Sequence, residues 1–528
     1  MQLGFLTRYS LVGLSISLGF LSWLPVALFA ATIVVTNSAD QGPGSLREAI
    51  NAANSDLTPT VITFDPSIFP ASIDVGSTTG NPLPQLTEEG TVIDGAGNGV
   101  VLDGSSLGGI EDGFLVRASD TTIMDLTIQD FPRDGIRVVP LEGVAEATGV
   151  VIEDNTVQFN EKDGIAVFGG RDGNTVEVVI AGNTVFQNED DAIIVHGSVS
   201  TGAGGNVVEA LIEKNRIEGN LGTSNITGDG IRVIGGVSQN AGGNDVTAFI
   251  DKNHVDHSGD NGIIVKGAVT PQSAVPPLRT HTSNNTVYAE ITDNHVNNSG
   301  NSNNGGAAIV VSGGHRRDVP GGVNNTVEFY VSKNHVRKTT GHGILIRGGG
   351  GTVDPRGGGH LVMGTVHQNH VRESDSEGVF ADIASGILVN GGRGAITNTV
   401  DVEIEKNHSM RNEGDGIRVV AGRAVSDHNV FLSGIIDNHA QQNDENGIFI
   451  GQNVNNEGGG VSPSPIEGNN ATQNGVDGIF VSSLSLSYEL SDNHANKNGD
   501  DGIKAIGNVD GGGNVASANA ACNTPGCF

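Results

Sequence analysis

Basic side chains are concentrated in one part of an otherwise acidic chain. The 528 residues carry a formal net charge of −32, yet residues 266–423 hold 15 Lys and Arg against 14 Asp and Glu. Arg guanidinium groups bind carboxylates through bidentate hydrogen bonds, and polysaccharides that contain uronate carry such carboxylates. Most of the candidates lie in Gly-rich segments between repeats, and we expect Lys266, Arg279, His315, His360, Arg393 and Arg423 to bind substrate, beside Arg316, Arg317, Arg347 and Arg356. The alternative is that these residues only solvate the Gly-rich loops.

Carboxylates form a second candidate site. Asp134, Asp163, Asp191 and Asp229 each precede a Gly-Ile or Ala-Ile pair in successive repeats, and Asp190 adjoins Asp191. Ca²⁺ takes six to eight oxygen ligands, so stacked Asp side chains could hold a calcium ion. Paired carboxylates also serve glycoside hydrolysis. A third interpretation is that these Asp residues only shape turns.

Histidines form a third pattern. Six of them follow an Asn in six successive repeats, namely His254, His295, His335, His370, His408 and His439, and His494 follows later. Because the next residue is usually an inward Val, we expect the imidazoles to face outward. Neighbouring neutral imidazoles can simply stack, or a pair can bind Cu²⁺, Ni²⁺ or Zn²⁺.

The elements that position these residues follow from a repeat of about 30 residues. Asn155 precedes Gly164 by nine residues, and the same interval separates Asn253 from Gly262. Each copy has short apolar alternations broken by Asn and Gly, which indicates strands and not helices. Repeats of this length bury their apolar faces by stacking on their neighbours.

Three strands per repeat predict an all-β, right-handed parallel β-helix of about 14 rungs. The right hand follows from the general rule for parallel crossover connections. The repeated Asn residues should form ladders, in which each side-chain amide bonds to the Asn above and below. Gly before Ile fits a corner that needs positive φ or close backbone approach.

Three segments of the chain have different characters. Residues 1–30 have a long apolar run that ends in small residues, which predicts a secretory signal peptide. Residues 31–110 should form an N-terminal cap and the first rungs, with a short helix opened by the capping box Ser45-Leu46-Arg47-Glu48. Residues 111–528 should form the repeat domain, whose last rung a disulfide between Cys522 and Cys527 would tie down.

The segment VTNSADQGPGSLREAINAAN, followed by VITFDPSIF, resembles the opening of many bacterial secreted and surface β-helix proteins. Those proteins usually have Cys-Ser-Leu-Arg-Glu-Ala, whereas this chain has Gly44 in place of the Cys. The rest of the chain is similar in general pattern to the pectate-lyase-like β-helix superfamily. Enzymes of that superfamily commonly abstract a proton with Arg or Lys while a cation acidifies the sugar. The resemblance implies Arg316, Arg317, Arg347 and Arg356 as catalytic candidates, with Asp318 and Asp354 as nearby carboxylates.

Three classes of function therefore remain. The first is a secreted or cell-surface protein, extracellular or periplasmic, that binds polysaccharide. The second is a polysaccharide lyase, hydrolase or epimerase that acts on an acidic glycan, and the third is a structural or metal-related exported protein. The strong negative charge and the 4% aromatic content argue against nucleic acid as a partner. We expect a monomer with no membrane contact after signal cleavage, and no cofactor apart from the calcium considered above.

Overall fold

The computed structural model describes most of the chain from residue 30 to residue 520. The stretches outside the described residues are 1–29, 57, 142–145, 172, 199–203, 220–227, 237–242, 269–283, 301–305, 315–323, 350–358, 377–383, 393–397, 422–428, 452–453, 457–463, 483–487, 506–507 and 521–528. The predicted signal peptide and the predicted disulfide between Cys522 and Cys527 lie outside the described residues.

Three parallel sheets run the length of the molecule, and they are named A, B and C in the order in which the chain visits them within a repeat. Sheet A has 17 strands, sheet B has 15 and sheet C has 13. The strands of sheet A are Ala31–Val35, Thr60–Phe64, Val92–Asp94, Thr122–Met124, Glu146–Glu153, Thr175–Ala181, Val207–Glu213, Asp245–Asp251, Thr286–Thr292, Thr326–Ser332, Leu361–His367, Thr399–Glu405, Asn429–Ile436, Val454–Asn456, Ser464–Glu467, Tyr488–Ser491 and Val509–Gly512.

The strands of sheets B and C are shorter. Those of sheet B are Ala71–Asp74, Val100–Asp103, Leu126–Gln129, Thr156–Gln158, Thr184–Phe186, Arg216–Glu218, His254–Asp256, His295–Asn297, His335–Thr339, His370–Ser374, His408–Met410, His439–Gln441, Asn470–Thr472, His494–Asn496 and Val515–Ser517. Those of sheet C are Phe114–Val116, Ile136–Val138, Ile165–Phe168, Ile193–His196, Ile231–Ile234, Ile263–Lys266, Ile309–Ser312, Ile344–Arg347, Ile387–Asn390, Ile417–Val420, Ile448–Ile450, Ile479–Val481 and Ile503–Ala505.

Alternating side chains fill a core between the three sheets. The strand Asp245–Asp251 shows the principle, because Val246, Ala248 and Ile250 are fully buried while the residues between them face outward. One continuous apolar cluster extends from Val35 to Ala505. The predicted fold class, an all-β right-handed parallel β-helix, is confirmed.

Equivalent residues of successive rungs lie directly over one another. In sheet C, for example, Ile231 pairs with Ile263, which pairs in turn with Ile309. A side chain that faces outward at one rung therefore lies about 4.8 Å from the side chain at the same position of the next rung. This register decides which residues from distant parts of the sequence become neighbours.

Buried Asn residues stack at the corner between sheets A and B. The Asn334 amide nitrogen donates to the Ile291 carbonyl oxygen at 2.8 Å and to Asn369 Oδ1 at 2.9 Å. Asn334 Oδ1 in turn accepts from the backbone nitrogen and the amide nitrogen of Asn294, both at 3.0 Å. The same bonds link Asn155, Asn183, Asn215, Asn253, Asn294, Asn334, Asn369, Asn407, Asn438, Asn469 and Asn493.

The repeated Gly before Ile meets the neighbouring rung closely. A Cβ atom at Gly343 would lie 2.1 Å from Val371 Cγ1 and 2.6 Å from the Gly386 carbonyl oxygen. The backbone there does not have positive φ, so close approach is the reason for Gly at this corner.

A single described helix, α1 (Leu46–Ala53), packs against the first two strands of sheet A. Its buried residues Leu46, Ala49, Ile50 and Ala53 join the main core, and the Ser45 hydroxyl accepts from the Glu48 backbone nitrogen at 3.2 Å. Within the described residues, no helix combines the length and the apolar character that a membrane crossing requires.

Replacing Asn334 with Ala should destabilise the fold. The change leaves the Asn294 backbone nitrogen without its acceptor and removes one hydrogen bond each from the Asn294 amide nitrogen, the Ile291 carbonyl oxygen and Asn369 Oδ1. These losses should lower the free energy of unfolding by about 2–4 kcal/mol. Chemical denaturation followed by circular dichroism measures the effect. The matched control is Asn51→Ala on the exposed face of α1, which should change stability by less than about 0.5 kcal/mol. Equal stability of the two variants would contradict a stabilising role for the Asn stack.

Candidate functional site

The Asp residues predicted as a metal site form a ladder of their own at the start of sheet C, called the Asp column. One carboxylate oxygen of each accepts from the backbone nitrogen at the same position of the next rung. The backbone nitrogen of Asp163 donates to Asp134 Oδ1 at 3.3 Å, that of Asp191 donates to Asp163 Oδ1 at 3.1 Å, and that of Asp229 donates to Asp191 Oδ1 at 2.8 Å. The backbone nitrogen of Asn261 continues the series with a 2.9 Å bond to Asp229. The turn-shaping interpretation of these Asp residues therefore has direct support.

Basic side chains neutralise the second oxygen of several members of the Asp column. The pairs are Arg137 with Asp134 at 2.7 Å, Lys162 with Asp163 at 2.6 Å, and Arg232 with Asp191 at 3.2 Å. All three Asp side chains are almost fully buried, whereas Lys162 and Arg232 are partly exposed and Arg137 is largely buried. In these Asp side chains, one carboxylate oxygen thus accepts from the backbone of the next rung, and the other oxygen pairs with a basic side chain.

The carboxylates of Asp163, Asp190 and Asp191 come together, since ligand oxygens of the three lie within 4.8 Å of one another. Ca²⁺ prefers six to eight oxygens, and three carboxylates would supply part of such a set. The Lys162 ammonium already donates to Asp163, and Arg232 already pairs with Asp191. Because these two cations balance the carboxylates, calcium would have to compete with Lys162 for Asp163.

Burial raises the pKa of the three clustered carboxyl groups. For Asp163 burial and the nearby Asp134 raise the pKa to about 7, and for Asp191 burial is again the main cause of a pKa of about 7. Burial and the charge of Asp163 raise the pKa of Asp190 to about 6. These carboxyl groups therefore hold a proton more readily than an exposed Asp does.

Replacing Asp163 with Asn should flatten the pH dependence of stability. A carboxyl group whose pKa rises on folding stabilises the folded protein progressively as pH falls through the folded pKa, here from about 7 toward the unfolded value near 4. The Asn variant lacks this contribution. Its free energy of unfolding relative to that of the wild type should therefore decrease by about 1 kcal/mol for each unit by which the pH falls from 7 to 5. Denaturation series at several pH values measure this slope.

Asn is a suitable replacement because Asn261 and Asn446 occupy the same position in other rungs and accept the same bond. Glu161→Gln, which removes an exposed carboxylate next to Lys162, is the matched control and should keep the wild-type slope. A wild-type slope in Asp163→Asn would show that this group does not titrate in the proposed range.

A strip of charged residues lies on the outer face of sheet C in the middle of the rod. It consists of Arg232, Asp260, Lys266 and Arg347 and is called the central strip. Arg232 stacks between Ile194 and Ile264, and Lys266 and Arg347 lie in one column on either side of Ser312. The register therefore brings together residues that are more than 100 positions apart in sequence.

The groups of the central strip influence one another. Burial and the nearby Arg232 lower the pKa of Lys266 to about 8. Burial and the charge of Asp229 raise the pKa of Asp260 to about 6, against the opposing effect of Lys266, Arg232 and Arg347. Arg347 Nε also donates to Ser312 Oγ at 3.3 Å. The strip thus presents cationic donors and a carboxylate in one small area.

The apolar residues around the central strip are buried. Ile234, Ile264 and Val310 are each 1% exposed, although they lie on the outer face of sheet C. Arg232, Lys266, Asp260 and Arg347 keep partial exposure. Polar groups, and not apolar surface, are therefore what a ligand would meet here.

Several predicted site residues occupy other places. The predicted residues Arg316, Arg317, Asp318, Asp354, Arg356, Arg279, His315, Arg393 and Arg423 lie outside the described residues. A second stack of buried Asn residues precedes sheet A and includes Asn244, Asn285 and Asn325. His360 is buried in this second stack, where its Nδ1 lies 3.2 Å from the amide nitrogen of Asn325. Burial lowers the pKa of His360 to about 4. Its ring fills a ladder position and does not face the central strip.

The sequence reasoning missed Arg232 and Asp260 as members of the site. Arg232 follows the Ile of a Gly-Ile pair, and in a strand the residue after an inward Ile faces outward. Asp260 lies at the turn that leads into the next strand of sheet C. The alternation of inward and outward residues would have placed Arg232 on the outer face of sheet C. Only the register between neighbouring strands shows that Arg232 lies near Lys266.

The last rungs repeat the arrangement of the Asp column. Arg418 pairs with Asp415 at 2.7 Å and Lys504 with Asp501 at 3.2 Å. Between them the rings of Phe449 and Phe480 stack with centroids 5.2 Å apart, and the Arg418 guanidinium lies 4.5 Å from the Phe449 ring centroid. The pairing of Asp with an outward cation is therefore a recurring device of sheet C.

Comparison with known proteins bears on the fold. A family model described as a right-handed beta helix region matches residues 86–208. The structure is similar to the A-module of Azotobacter vinelandii mannuronan C-5 epimerase AlgE4, with 14% identity, a TM-score of 0.48, and coverage of 79% of this chain and 97% of that chain. The structure is also similar to the AlgE6 A-module of the same organism, with 14% identity, a TM-score of 0.43, and coverage of 77% of this chain and 92% of that chain.

A third similar structure is the catalytic unit of a GH87 α-1,3-glucanase from Streptomyces thermodiastaticus strain HF3-3, with 14% identity, a TM-score of 0.41, and coverage of 76% of this chain and 65% of that chain. No curated protein sequence matches the chain. The matched family model and the three parallel sheets agree that the chain folds as a right-handed β-helix.

Proposed function

We propose that this chain is an exported protein that binds a polysaccharide along the outer face of sheet C. The observation that carries the proposal is the alignment of Arg232, Lys266 and Arg347 on rungs of one sheet. The strands that carry Arg232 and Arg347 are three rungs apart, so the cations span about 15 Å along the rod. An extended ligand parallel to the rod axis can contact all three.

The composition of the central strip favours a sugar chain with carboxylate groups. Arg232 and Arg347 offer planar guanidinium donors, and Lys266 offers an ammonium group, all of which bind carboxylates by charge-assisted hydrogen bonds. The Asp260 carboxylate adds an acceptor for sugar hydroxyl groups. Apolar side chains around these groups are buried, so recognition would be polar.

Export is the part of the proposal that rests on the N-terminal sequence. Residues 1–30 have the apolar run and the small residues of a secretory signal. Outside the cytoplasm the protein would meet extracellular polysaccharide, whether the protein is released or held at the cell surface.

A double substitution in the central strip should weaken binding. Lys266→Met combined with Arg347→Met removes two charged donors, each worth about 1.5–3 kcal/mol when bonded to a carboxylate, so affinity for an acidic polysaccharide should fall by roughly a hundredfold or more. Calorimetric titration with acidic and neutral glycans measures the change, after a screen has identified a ligand.

Arg216→Met is the matched control, because Arg216 is exposed on sheet B and pairs with Glu218. This variant should bind like the wild type. Equal losses in both variants would indicate a non-specific charge effect, and absence of binding to every acidic and neutral glycan would remove the proposed function.

A second candidate function is proton abstraction from an acidic sugar, as in a lyase or an epimerase. The favouring observation is the lowered pKa of Lys266, about 8, because a general base works best when its pKa lies near the working pH. In a lyase reaction the Lys266 amine would take the proton beside the sugar carboxylate. The electron pair left on that carbon would form a double bond as the neighbouring glycosidic oxygen leaves, and an epimerase would instead return a proton to the opposite face.

If Lys266 acts as this base, the rate should increase with pH and level off above about 8, where the amine is neutral. Lys266→Met should then abolish turnover, whereas binding should persist through Arg232 and Arg347. Ultraviolet absorbance of unsaturated products detects a lyase, and magnetic resonance of the polymer detects an epimerase. Binding without turnover would leave the binding function and reject the enzymatic one.

A further inference from the structure

The outer face of sheet B carries the six histidines His254, His295, His335, His370, His408 and His439 in a line, called the His stripe. From its geometry we propose that the His stripe binds a transition-metal ion, with the first site between His370 and His408. This site is separate from the central strip, which lies on sheet C, and it is independent of polysaccharide binding.

Strand register creates the His stripe. Each His is the first residue of its strand, directly after a buried Asn and before an inward residue, and pairs with the His of the next rung. The rings of His295 and His335 stack with centroids 4.8 Å apart, and those of His335 and His370 with centroids 5.4 Å apart. The imidazoles thus follow the rungs without interruption over six turns.

The pair His370 and His408 differs from its stacked neighbours. The two ring planes are inclined at 65°, and His370 Nε2 lies 3.1 Å from His408 Nδ1. Two imidazole nitrogens bound to one ion at 2.0–2.1 Å and at angles between 90° and the tetrahedral value lie roughly 2.9–3.4 Å apart. The separation of these two nitrogens therefore fits two ligands of one metal ion.

The two rings of the pair differ in their surroundings. The other ring nitrogen of His408, Nε2, is buried and has no hydrogen-bond partner among the described residues. His370 is exposed, so an ion can reach the pair from solvent.

Metal binding at the His stripe requires neutral imidazoles. Neutral imidazoles keep the lone pair that a metal needs, whereas protonation would place like charges along the His stripe.

The donor set determines which metals suit the site. Among the described residues, the groups with three clustered ligand atoms are formed by Asp side chains and do not include the His stripe. The site therefore offers two imidazole nitrogens, with water completing the coordination. Imidazole suits Cu²⁺, Ni²⁺ and Zn²⁺, and Cu²⁺ should bind most tightly in the general order of divalent metals.

The test is a Cu²⁺ titration of the mature protein without an affinity tag, followed by calorimetry and by electron paramagnetic resonance. We expect saturable binding and a spectrum with nitrogen hyperfine splitting. His370→Asn together with His408→Asn should lower the affinity at least tenfold and remove the nitrogen splitting of the first equivalent. Asn470 occupies the same column of sheet B, so Asn at these positions fits the fold.

His257→Asn is the matched control, since His257 is exposed and lies outside the His stripe; positive φ at this position also suits Asn. This variant should bind Cu²⁺ like the wild type. Absence of saturable binding would overturn the proposal, and so would unchanged binding in the double variant, which would assign the metal to other groups such as the clustered Asp side chains.

Discussion

The hydrogen bonding of each rung to the next, in fixed register, is the interaction on which the whole structure depends. Backbone pairs of three sheets and the stacked Asn amides both repeat at every turn, so that equivalent residues cannot slip past one another. Slippage by one residue would send every inward side chain outward. Because this is prevented, residues from distant repeats meet in straight columns, and neighbouring columns form the candidate functional surfaces.

The Asp column shows how the same register accommodates charge. A buried carboxylate is costly unless it is bonded and neutralised. Here one oxygen takes the bond that an Asn takes elsewhere, and the other pairs with Arg137, Lys162 or Arg232. Each Asp side chain therefore shapes the turn through one oxygen and pairs with a cation through the other. For this reason the spacing of the Asp residues alone did not distinguish a turn-shaping role from a metal-binding or catalytic one.

The sequence was sufficient to predict the fold, because alternation and a constant Asn-to-Gly interval report local geometry directly. It also identified Lys266 and Arg347 as members of one flank, and the Asp residues that cluster at Asp163. It did not reveal that Arg232 and Asp260 approach Lys266, since their proximity depends on the register between rungs separated by loops of unequal length. His360 was misleading for the opposite reason, because an imidazole can take the place of an Asn in a ladder.

The presence of Asn261 and Asn446 at positions that Asp residues occupy in other rungs has an evolutionary consequence. Amide and carboxylate accept the same backbone bond there, so a single substitution can add or remove a negative charge while the rod keeps its shape. Selection could in this way adjust the electrostatic potential of sheet C one turn at a time without changing the register of the rungs. A scaffold of this kind can diversify its ligands by small inherited changes along its length.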